Sequence, residues 1–506
     1  MTIELSNILD HFHKSLKNSV PRHERSRIGQ FLTPAVVADF MASLFLAQRR
    51  DVRILDAGAG AGALFAACVE TLLHKKVRPR TIEVVAYELD KNALLCLEET
   101  MARCKSLCAA AGIAFRGEIR TEDFIAAAAA LTEDRLFGVQ DERFTHAILN
   151  PPYKKIYGPS ATRRLLSHAG IETSNLYSAF IWLSLKLLQP GGEIVAITPR
   201  SFCNGPYFRR FRLFLLNTMS LRRIHVFGSR KKAFGDDQVL QENVIFHAIR
   251  DKKEQERITI SSSEGLDFNA AKVHSVPYEY IVSASDRDAF IHLVAGPEDE
   301  RTIGQMRKFT STMDELGLEV STGPVVDFRA REYLRRFPQE GTVPIIYPAH
   351  FQGGFVQWPI KSVKKPNAIL FTEQTRDLLV KAGNYVLTRR FSAKEERRRV
   401  VAAVYDPSKV DSPFVGFENH LNYFHLRGKG LPAVMAKGLA LFLNSTVFDR
   451  HFRLFSGHTQ VNATDLRKMR YPSREQLIRL GAHVKDRMPD QEAVDSILQK
   501  ECGHDG

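Results

Sequence analysis

The sequence predicts an α/β fold in which a Rossmann-like domain with a parallel sheet is followed by a C-terminal α+β domain. From about residue 52, short apolar segments alternate with longer helical ones, which is typical of a parallel sheet covered on both faces. A glycine-rich loop follows the first apolar segment, and after about residue 250 the alternation gives way to short mixed segments. A chain of 506 residues is also long for one core and predicts two or three domains.

The apolar periodicity predicts each element in turn. Strands are expected at residues 52–56, 83–87, 115–119, 145–149, 193–198, 223–227 and 243–249, and helices near 63–75, 91–112, 174–189 and 205–218. Gly191 and Gly192 are expected to stop the helix at 174–189. The first domain is therefore placed at 1–250, with an N-terminal helical part at 1–50. The second is placed at 251–506, with its boundary in the charged, Ser-containing stretch at 251–275.

An amphipathic helix is expected before the first strand. The run Gln30-Phe31-Leu32-Thr33-Pro34 precedes a segment that contains Val36, Val37, Phe40 and Met41. Thr33 has the character of an N-cap, because its hydroxyl can accept a hydrogen bond from the first turn, and Pro34 suits the first helical position.

The net charge of +14 is unevenly distributed. Residues 151–250 hold 15 Lys and Arg against 5 Asp and Glu, and residues 351–400 hold 11 against 4, including Arg389, Arg390, Lys394, Arg397, Arg398 and Arg399. Such patches are typical of proteins that bind a polyanion, since counterion release supplies most of the sequence-independent affinity. For the run at 394–399, a solvated helix face explains the charges equally well.

Composition also predicts the compartment. No apolar run approaches the roughly 20 residues that span a bilayer, and the first residues lack a basic stretch followed by an apolar one, so a cytoplasmic protein away from membranes is expected. The six cysteines form no CxxC pair. Cys104 and Cys108 lie one helical turn apart, but no matching pair completes a metal site, so buried thiols and no metal are expected.

A ligand loop is predicted at residues 56–62, Asp-Ala-Gly-Ala-Gly-Ala-Gly, where the first strand ends and a helix begins. After Asp56, the small residues Gly58 and Gly60 allow backbone amides to approach a ligand, and the helix N-terminus favours a carboxylate or phosphate. The glycines are spaced GxGxG, whereas a dinucleotide loop normally has GxGxxG. Taken alone, the loop fits NAD, another nucleotide or S-adenosylmethionine.

Acidic residues follow the next two predicted strands. Glu88 can accept hydrogen bonds from both hydroxyls of a ribose, or it is a surface acid at a strand end. Asp123 can accept from an adenine amino group while Phe124 stacks on the purine. Alternatively, Asp123 caps a helix and Phe124 lies in the core.

The turn at residues 150–153 is the most informative feature of the chain. Asn150, Pro151, Pro152 and Tyr153 follow an apolar strand directly. An amine conjugated to a ring is a poor nucleophile, so its nitrogen must be held by carbonyl acceptors, which the Asn150 side chain and the Pro151 backbone provide. The prolines stiffen the turn and offer no competing N–H, and Tyr153 can lie against the ring. An ordinary Asn-Pro turn is the alternative interpretation.

Together these motifs resemble a known family. The Thr-Pro cap, the glycine loop, Glu88, the Asp-Phe pair and the Asn-Pro-Pro-Tyr turn fall in order at successive strand ends, where open α/β folds bind their ligands. This order resembles the γ class of DNA adenine-N6 methyltransferases, typified by the TaqI methyltransferase. The resemblance covers most of the chain. It implies an S-adenosylmethionine-dependent methyltransferase domain followed by a DNA target-recognition domain.

The resemblance also implies roles for individual residues. The cofactor-binding residues would be Gln30, Thr33, Asp56, Gly58, Gly60, Glu88, Asp123, Phe124 and Asn150. The catalytic residues would be Asn150, Pro151, Pro152, Tyr153 and Phe234. Phe234 would cover the second face of the target adenine, with Phe227 as its competitor. Residues 191–193 and 197–202 would form a further block with structural duties.

The C-terminal half resembles the recognition regions of type II modification enzymes, including the branch of the PstI and BsuBI methyltransferases. The similar strings lie at residues 321–327, 347–350, 444–445 and 457–462. Membership of that branch would imply a CTGCAG-like palindromic target. His350, Gln352, Gln460 and Asn462 are candidate base readers or hydrogen-bonded loop residues, and the loop at 457–462 is favoured over any single side chain.

The expected activity is site-specific methylation of the adenine N6 amine in double-stranded DNA after base flipping. The protein would be a monomer and the modification part of a restriction-modification system, with a separately encoded cognate restriction endonuclease. The alternatives are an RNA or protein-glutamine N-methyltransferase that shares the turn, and a non-catalytic DNA-binding module. No paired-acid and lysine cluster indicates a fused nuclease.

Overall fold

The computed structural model describes residues 33–133, 143–158, 160–227, 243–251, 255–283, 286–362, 364–392, 396–455 and 460–503. The chain forms two compact units, Met1–Gly296 and Pro297–Gly506. The boundary predicted at 251–275 lies inside the first unit, because two strands beyond residue 250 extend the sheet of that unit.

The first unit is built on a nine-stranded sheet with the order β3-β2-β1-β4-β5-β7-β6-β8-β9. Its strands are β1 (Asp51–Ala57), β2 (Thr81–Tyr87), β3 (Ala114–Arg120), β4 (Phe144–Leu149), β5 (Leu188–Pro199), β6 (Ser220–Phe227), β7 (Asn243–Ile249), β8 (Arg257–Ser263) and β9 (Lys272–Pro277). The strands predicted up to residue 249 are confirmed. β4 is buried along its whole length, which explains why a short apolar run identified it, whereas β3 is exposed or half-buried throughout.

The direction of the strands creates a ligand crevice. β3, β2, β1, β4 and β5 are parallel, whereas β7 is antiparallel to both β5 and β6. β1 pairs with β2 on one side and with β4 on the other. The chain therefore reverses its direction of travel across the sheet beside β1, and the carboxyl ends of β1 and β4 form the switch point where such folds bind ligands.

Helices cover both faces of this sheet. They are α1 (Ala35–Ser43), α2 (Ala63–His74), α3 (Lys91–Ala110), α4 (Phe124–Glu133), α5 (Ala161–His168), α6 (Leu176–Leu187), α7 (Arg209–Thr218) and α8 (Tyr278–Ile281). Residues of α1, α2 and α3 form one core with Ile54 and Val84 of the sheet. The alternate strand residues Leu55, Val85 and Ala147 are buried on the other face. The α/β, Rossmann-like class is confirmed.

The predicted helix stop at Gly191 and Gly192 is wrong in position. α6 ends at Leu187, and both glycines belong to β5. Gly191 has a φ of 70°. A Cβ on Gly192 would lie 2.9 Å from the Gln189 carbonyl oxygen and 3.1 Å from that of Phe144. The glycines therefore allow the chain to turn tightly into the strand rather than to terminate the helix.

The second unit is an α+β structure with two sheets, ordered β10-β20-β17-β18-β14-β13 and β11-β15-β12-β19-β16. Its strands are β10 (Glu319–Thr322), β11 (Leu334–Arg335), β12 (Thr342–Ile346), β13 (Phe351–Gln352), β14 (Phe355–Val356), β15 (Ala368–Leu370), β16 (Leu379–Lys381), β17 (Tyr385–Arg389), β18 (Ala402–Tyr405), β19 (Phe414–Phe417) and β20 (Leu421–His425). The helices are α9 (Pro297–Arg307), α10 (Ala433–Leu443), α11 (Thr446–Phe455), α12 (Ala463–Arg467), α13 (Arg474–Ala482) and α14 (Gln491–Cys502).

Of the basic run at 394–399, the structure describes residues 396–399, and these do not form a helix. Arg399 is fully buried, and its guanidinium donates to the Ser392 backbone. Arg398 donates to the Asn444 carbonyl oxygen. Both guanidinium groups therefore bond backbone carbonyl groups of the second unit, and Arg399 is removed from the surface available to a polyanion.

The six cysteines are free thiols, and those predicted to be buried, Cys104 and Cys108, are fully enclosed. Within the described ranges, no helix is both long enough and apolar enough to cross a bilayer.

Candidate active site

Four polar side chains meet at the carboxyl edge of the first sheet. Asp56 lies in β1, Glu88 directly follows β2, Asp123 follows β3 and Asn150 directly follows β4. The strand register sets Asp56 beside Ala86 and Leu55 beside Ala147. Because these strands are parallel and adjacent, the residues that follow them share one edge. Asp56, Glu88, Asp123 and Asn150 therefore lie at the same edge of the sheet.

The glycine loop has the backbone that its composition predicts. Gly58, Gly60 and Gly62 have φ values of 84°, 57° and 87°, which side chains rarely tolerate. The amides of Gly58 and Ala59 both donate to the Tyr87 carbonyl oxygen at 2.9 Å. A Cβ on Gly62 would lie 2.6 Å from the Phe65 ring. The glycines thus fix the path of the loop over the first turn of α2.

Glu88 is anchored to that loop by its carboxylate. One oxygen accepts from the Gly60 amide at 2.7 Å, and the other accepts from the amides of Leu89 and Asp90 at 2.8 and 2.7 Å. Burial raises the pKa of Glu88 above its ordinary value, although the hydrogen bonds from these amides act in the opposite direction and lower it. The carboxylate is therefore held in a fixed position beside the glycine loop.

Asp56 is fully buried behind the same loop. Its Oδ2 accepts from the Phe65 amide at 3.2 Å, while Oδ1 has no hydrogen-bond partner among the described residues. Burial raises the pKa of Asp56 to about 8, and the nearby Glu88 adds to this effect. A buried acceptor without a partner fits a ligand that brings its own donor, such as an ammonium group.

Asp123 and Phe124 show the helix-start geometry that was the alternative to an adenine contact. Asp123 Oδ1 accepts from the Ile125 amide at 2.7 Å at the start of α4. Phe124 is 2% exposed, and its ring centroid lies 5.1 Å from those of both Tyr87 and Phe180. In this structure the pair therefore begins a helix and packs its first residue, at the same sheet edge as Glu88.

The Asn-Pro-Pro-Tyr turn forms a hydrogen-bonded unit. The Asn150 side chain is buried, and its Oδ1 accepts from the Tyr153 hydroxyl at 3.0 Å. The same hydroxyl lies 3.3 Å from the Ile197 carbonyl oxygen at the end of β5. Burial raises the pKa of Tyr153, so its hydroxyl stays protonated. Pro151 is buried and Pro152 is half-buried.

Thr33 does not cap α1 as predicted. Pro34 is the N-cap, and no side-chain hydrogen bond closes the helix start. Instead, the Thr33 hydroxyl accepts a hydrogen bond of 2.9 Å from Asn150 Nδ2. The hydroxyl predicted to cap the helix therefore contacts the Asn-Pro-Pro-Tyr turn.

Two aromatic residues of α6 were missed by the sequence argument. The Tyr177 ring lies 6.3 Å from that of Tyr153 at nearly a right angle, and its hydroxyl bonds Ser201 at 3.0 Å. Phe180 lies 3.8 Å from the position of a Cβ on Gly58. Their place in the first turns of a buried helix looks like ordinary core packing, so only their three-dimensional neighbours show that they border the site.

Gln30 and Phe234 lie outside the described residues. Phe227, the competitor of Phe234, packs with its ring centroid 6.1 Å from that of Phe268 and 5.0 Å from that of His225. In the part of the chain that the structure describes, no group of His, Cys, Asp and Glu is arranged to hold a metal ion.

The candidate base readers of the second unit differ in exposure. His350 is fully buried, with Nδ1 accepting from the Tyr347 amide at 2.9 Å and Nε2 bonding Asn367 at 3.1 Å, so it is a hydrogen-bonded core residue. Asn462 is the N-cap of α12 and donates to Asp465 at 3.3 Å. Gln352 is exposed and Gln460 half-buried. Residues 457–459 of the favoured loop lie outside the described residues.

Comparisons with known proteins give the family. The model of the Eco57I restriction-modification methylase family matches residues 81–234. The chain is 46% identical over 481 residues to the type II methyltransferase M.BsuBI of Bacillus subtilis, covering 94% of this chain and 94% of that protein. It is 42% identical over 500 residues to the type II methyltransferase M.PstI of Providencia stuartii, covering 99% and 98%. The chain therefore belongs to the type II methyltransferases of restriction-modification systems, in the branch of M.BsuBI and M.PstI.

Proposed function

We propose that this methyltransferase transfers a methyl group from S-adenosylmethionine to the N6 amine of adenine in double-stranded DNA. The observation that carries the proposal is the buried Asn150 amide at the carboxyl end of β4, beside the glycine loop that ends β1. An amide oxygen and the Pro151 carbonyl oxygen are the acceptors that an exocyclic amine needs. Because this amine is paired inside a duplex, the adenine must swing out of the helix to reach them.

The residues of the turn would act by positioning. Asn150 Oδ1 and the Pro151 carbonyl oxygen accept the two amino hydrogens, which turns the nitrogen lone pair toward the methyl donor. The Tyr153 ring lies on one face of the base, and Phe234 is proposed for the other face. The sulfonium of the cofactor supplies an electrophilic methyl group. No strong base is needed, since the methylated amine loses its proton easily, and orientation accounts for most of the catalysis.

The cofactor would lie along the edge formed by β1, β2 and β3. Asp56, with its unsatisfied Oδ1, is suited to the ammonium of the methionine moiety, next to the backbone of Gly58 and Gly60. Glu88 is suited to the ribose hydroxyls. Asp123 and Phe124 are proposed to bind the adenine ring. The Phe124 ring would then contact the cofactor as well as the protein rings against which it packs.

The second unit is proposed to recognise the DNA target. The alignments with M.BsuBI and M.PstI cover 94% and 99% of this chain, so they include most of this unit. A CTGCAG-like palindrome is the proposed site, read from the region of residues 457–462. We further propose that the protein acts as a monomer, with a separately encoded cognate endonuclease.

The test is methyl transfer from labelled S-adenosylmethionine to duplex DNA, RNA and protein in parallel, followed by nucleoside analysis and modification-sensitive sequencing. The expected result is N6-methyladenine within one short site. Asn150→Ala should lower the rate at least about a hundredfold while DNA and cofactor still bind, because an acceptor used in the transition state is lost. Exposed Asn92→Ala on α3 is the matched control. Methylation of RNA or protein alone, or an Asn150→Ala protein with the normal rate, would refute the proposal.

A further inference from the structure

We propose that Thr33 is a positioning residue that sets the orientation of the Asn150 carboxamide, so that the amide oxygen faces the target amine. This inference rests on the proposed function, because it assumes that the amine is the group to be held. Thr33 lies on a segment 117 residues away from Asn150, yet its hydroxyl is 2.9 Å from Asn150 Nδ2. Sequence reasoning assigned Thr33 to the cofactor, and the contact gives it a different partner.

Orientation matters because a carboxamide has two unlike ends. Its oxygen only accepts hydrogen bonds, whereas its nitrogen only donates them. The amine of the base is itself a donor toward the pocket, so a reversed carboxamide would set NH₂ against NH₂. Only one of the two orientations about the Cβ–Cγ bond of Asn150 therefore supports the reaction.

The structure holds the carboxamide at both ends. Thr33 Oγ1 accepts from the nitrogen end at 2.9 Å, and the Tyr153 hydroxyl donates to the oxygen end at 3.0 Å. A carboxamide oxygen has two lone pairs, so it can accept from Tyr153 and from the base at the same time. The nitrogen, by contrast, is directed away from the base by Thr33.

Because Asn150 is buried, the loss of either hydrogen bond is costly. The Asn150 side chain is 9% exposed, so water replaces a lost partner poorly. Removing the Thr33 hydroxyl would leave a donor of the amide unsatisfied, or would let the amide rotate toward another acceptor. Both outcomes reduce the fraction of molecules in which the oxygen faces the base.

Thr33 is also held rigidly enough to act in this way. It immediately precedes Pro34, whose φ is −59° and whose carbonyl oxygen accepts from the Val37 and Ala38 amides at 3.0 Å. Helix α1 is fixed in turn, because the Phe40 ring stacks on that of Phe268 at 4.1 Å. The Thr33 hydroxyl therefore lies directly before a helix that is packed against the protein.

The experiment separates transfer from binding in Thr33→Val, Thr33→Ala and Thr33→Ser. Single-turnover methylation is measured at saturating DNA and S-adenosylmethionine, and cofactor affinity and 2-aminopurine fluorescence at the target base are measured separately. Thr33→Val and Thr33→Ala should lower the transfer rate by about tenfold to a hundredfold. Cofactor affinity and base flipping should stay near those of the wild type, and Thr33→Ser should restore most of the rate. Val36→Ala, on the exposed side of the same helix, is the control.

Two results would overturn the inference alone. The first is a Thr33→Val protein that binds the cofactor weakly but transfers at the normal rate once saturated, which would make Thr33 a cofactor contact. The second is an equal loss in Thr33→Ser, which keeps the hydroxyl and changes only the shape. A wild-type protein that modifies no adenine would instead overturn the proposed function, and this inference with it.

Discussion

Asp56 combines complete burial with a carboxyl oxygen that has no partner among the described residues. Its pKa of about 8, against an ordinary 3.8, means that folding favours the protonated acid. Above pH 3.8 the Asp56 carboxyl ionises in the unfolded chain but stays protonated in the folded protein. The free energy of unfolding therefore falls as the pH rises from 3.8 to about 8. The residue thus lowers the stability of the cofactor-free protein at neutral and alkaline pH.

Replacing Asp56 by Asn should therefore stabilise the cofactor-free protein at pH 8 to 9 by at least about 1 kcal/mol, with little effect near pH 4. The same change should weaken S-adenosylmethionine binding, because the amide carries no charge for an ammonium. Denaturant unfolding across this pH range and calorimetric titration of the cofactor measure the two effects. Asp51→Asn, on an exposed residue of the same strand, is the control, since the pKa of Asp51 is lowered and its pH trend should be opposite. A stability gain that does not grow with pH would show that Asp56 ionises normally.

Single residues also show how far the sequence leads. Asp56, Glu88 and Asn150 could be placed at one edge because residues that follow adjacent parallel strands must meet there. The partner of Thr33 could not be predicted, because a hydroxyl bonds whichever group tertiary packing brings near it. Similarly, Tyr177 has the pattern of a core residue, and only its neighbour Tyr153 connects it with the site.

At the level of elements, Glu193 fastens β5 to two other segments. Its carboxylate accepts from the Leu46 and Ala47 amides at 2.9 and 2.5 Å and bonds His247 of β7 at 2.6 Å. Burial alone would raise its pKa, but the bond to His247 and the nearby amides lower it to about 2. The contribution to stability is present above the ordinary value of 4.5 and is lost as the pH falls toward 2.

Glu193→Gln should lower the free energy of unfolding by roughly 3 kcal/mol at pH 7, because a buried hydrogen-bonded charge is removed from its partners. The difference from the wild type should shrink as the pH falls below about 4.5. Chemical unfolding monitored at several pH values gives both numbers. Glu98 is an exposed residue of α3, and Glu98→Gln should change the free energy of unfolding little. Equal losses at pH 7 and pH 3 would exclude the ionised carboxylate as the cause.

The elements were predictable where burial is continuous and less so elsewhere. β4 is buried along its whole length, and its apolar run identifies it. The direction of β7 leaves no mark in composition, since an antiparallel strand buried on both faces has the same apolar run as a parallel one. β8 resembles a linker because of its serines, yet Ser261 and Ser263 are buried and bond His225 at 2.9 and 3.1 Å. The domain boundary was therefore placed too early.

Over the whole molecule, the net charge of +14 overstates the cations that remain for DNA. Arg399 is buried, Arg212 is buried and donates to the Gly205 carbonyl oxygen, and Arg222 pairs with Asp251. Lys154 and Lys155, by contrast, follow the Asn-Pro-Pro-Tyr turn immediately and are exposed. These two side chains are the clearest candidates for phosphate contacts beside the proposed site.

Replacing Lys154 and Lys155 together by Ala should weaken DNA binding about tenfold at moderate salt, and should reduce the slope of log affinity against log salt by about 2. The expected loss is the same for specific and non-specific duplexes, because phosphates carry no sequence. Fluorescence anisotropy at several salt concentrations measures this slope. Replacing Lys76 and Lys105, both exposed, removes the same charge elsewhere on the first unit and is the control. An unchanged slope would place the phosphate contacts on other residues.

The hydrogen bonds around the Asn-Pro-Pro-Tyr turn join segments that are synthesised far apart. Thr33 precedes Asn150 by 117 residues, so the partner of Asn150 has already been synthesised when Asn150 is added. The Ile197 carbonyl oxygen, which the Tyr153 hydroxyl contacts, is synthesised 44 residues after Tyr153. During translation, the glycine loop and the turn leave the ribosome before β5 exists to anchor them. A nascent chain stopped short of that strand would contain the glycine loop and the Asn-Pro-Pro-Tyr turn but would lack the carbonyl group that holds the tyrosine hydroxyl.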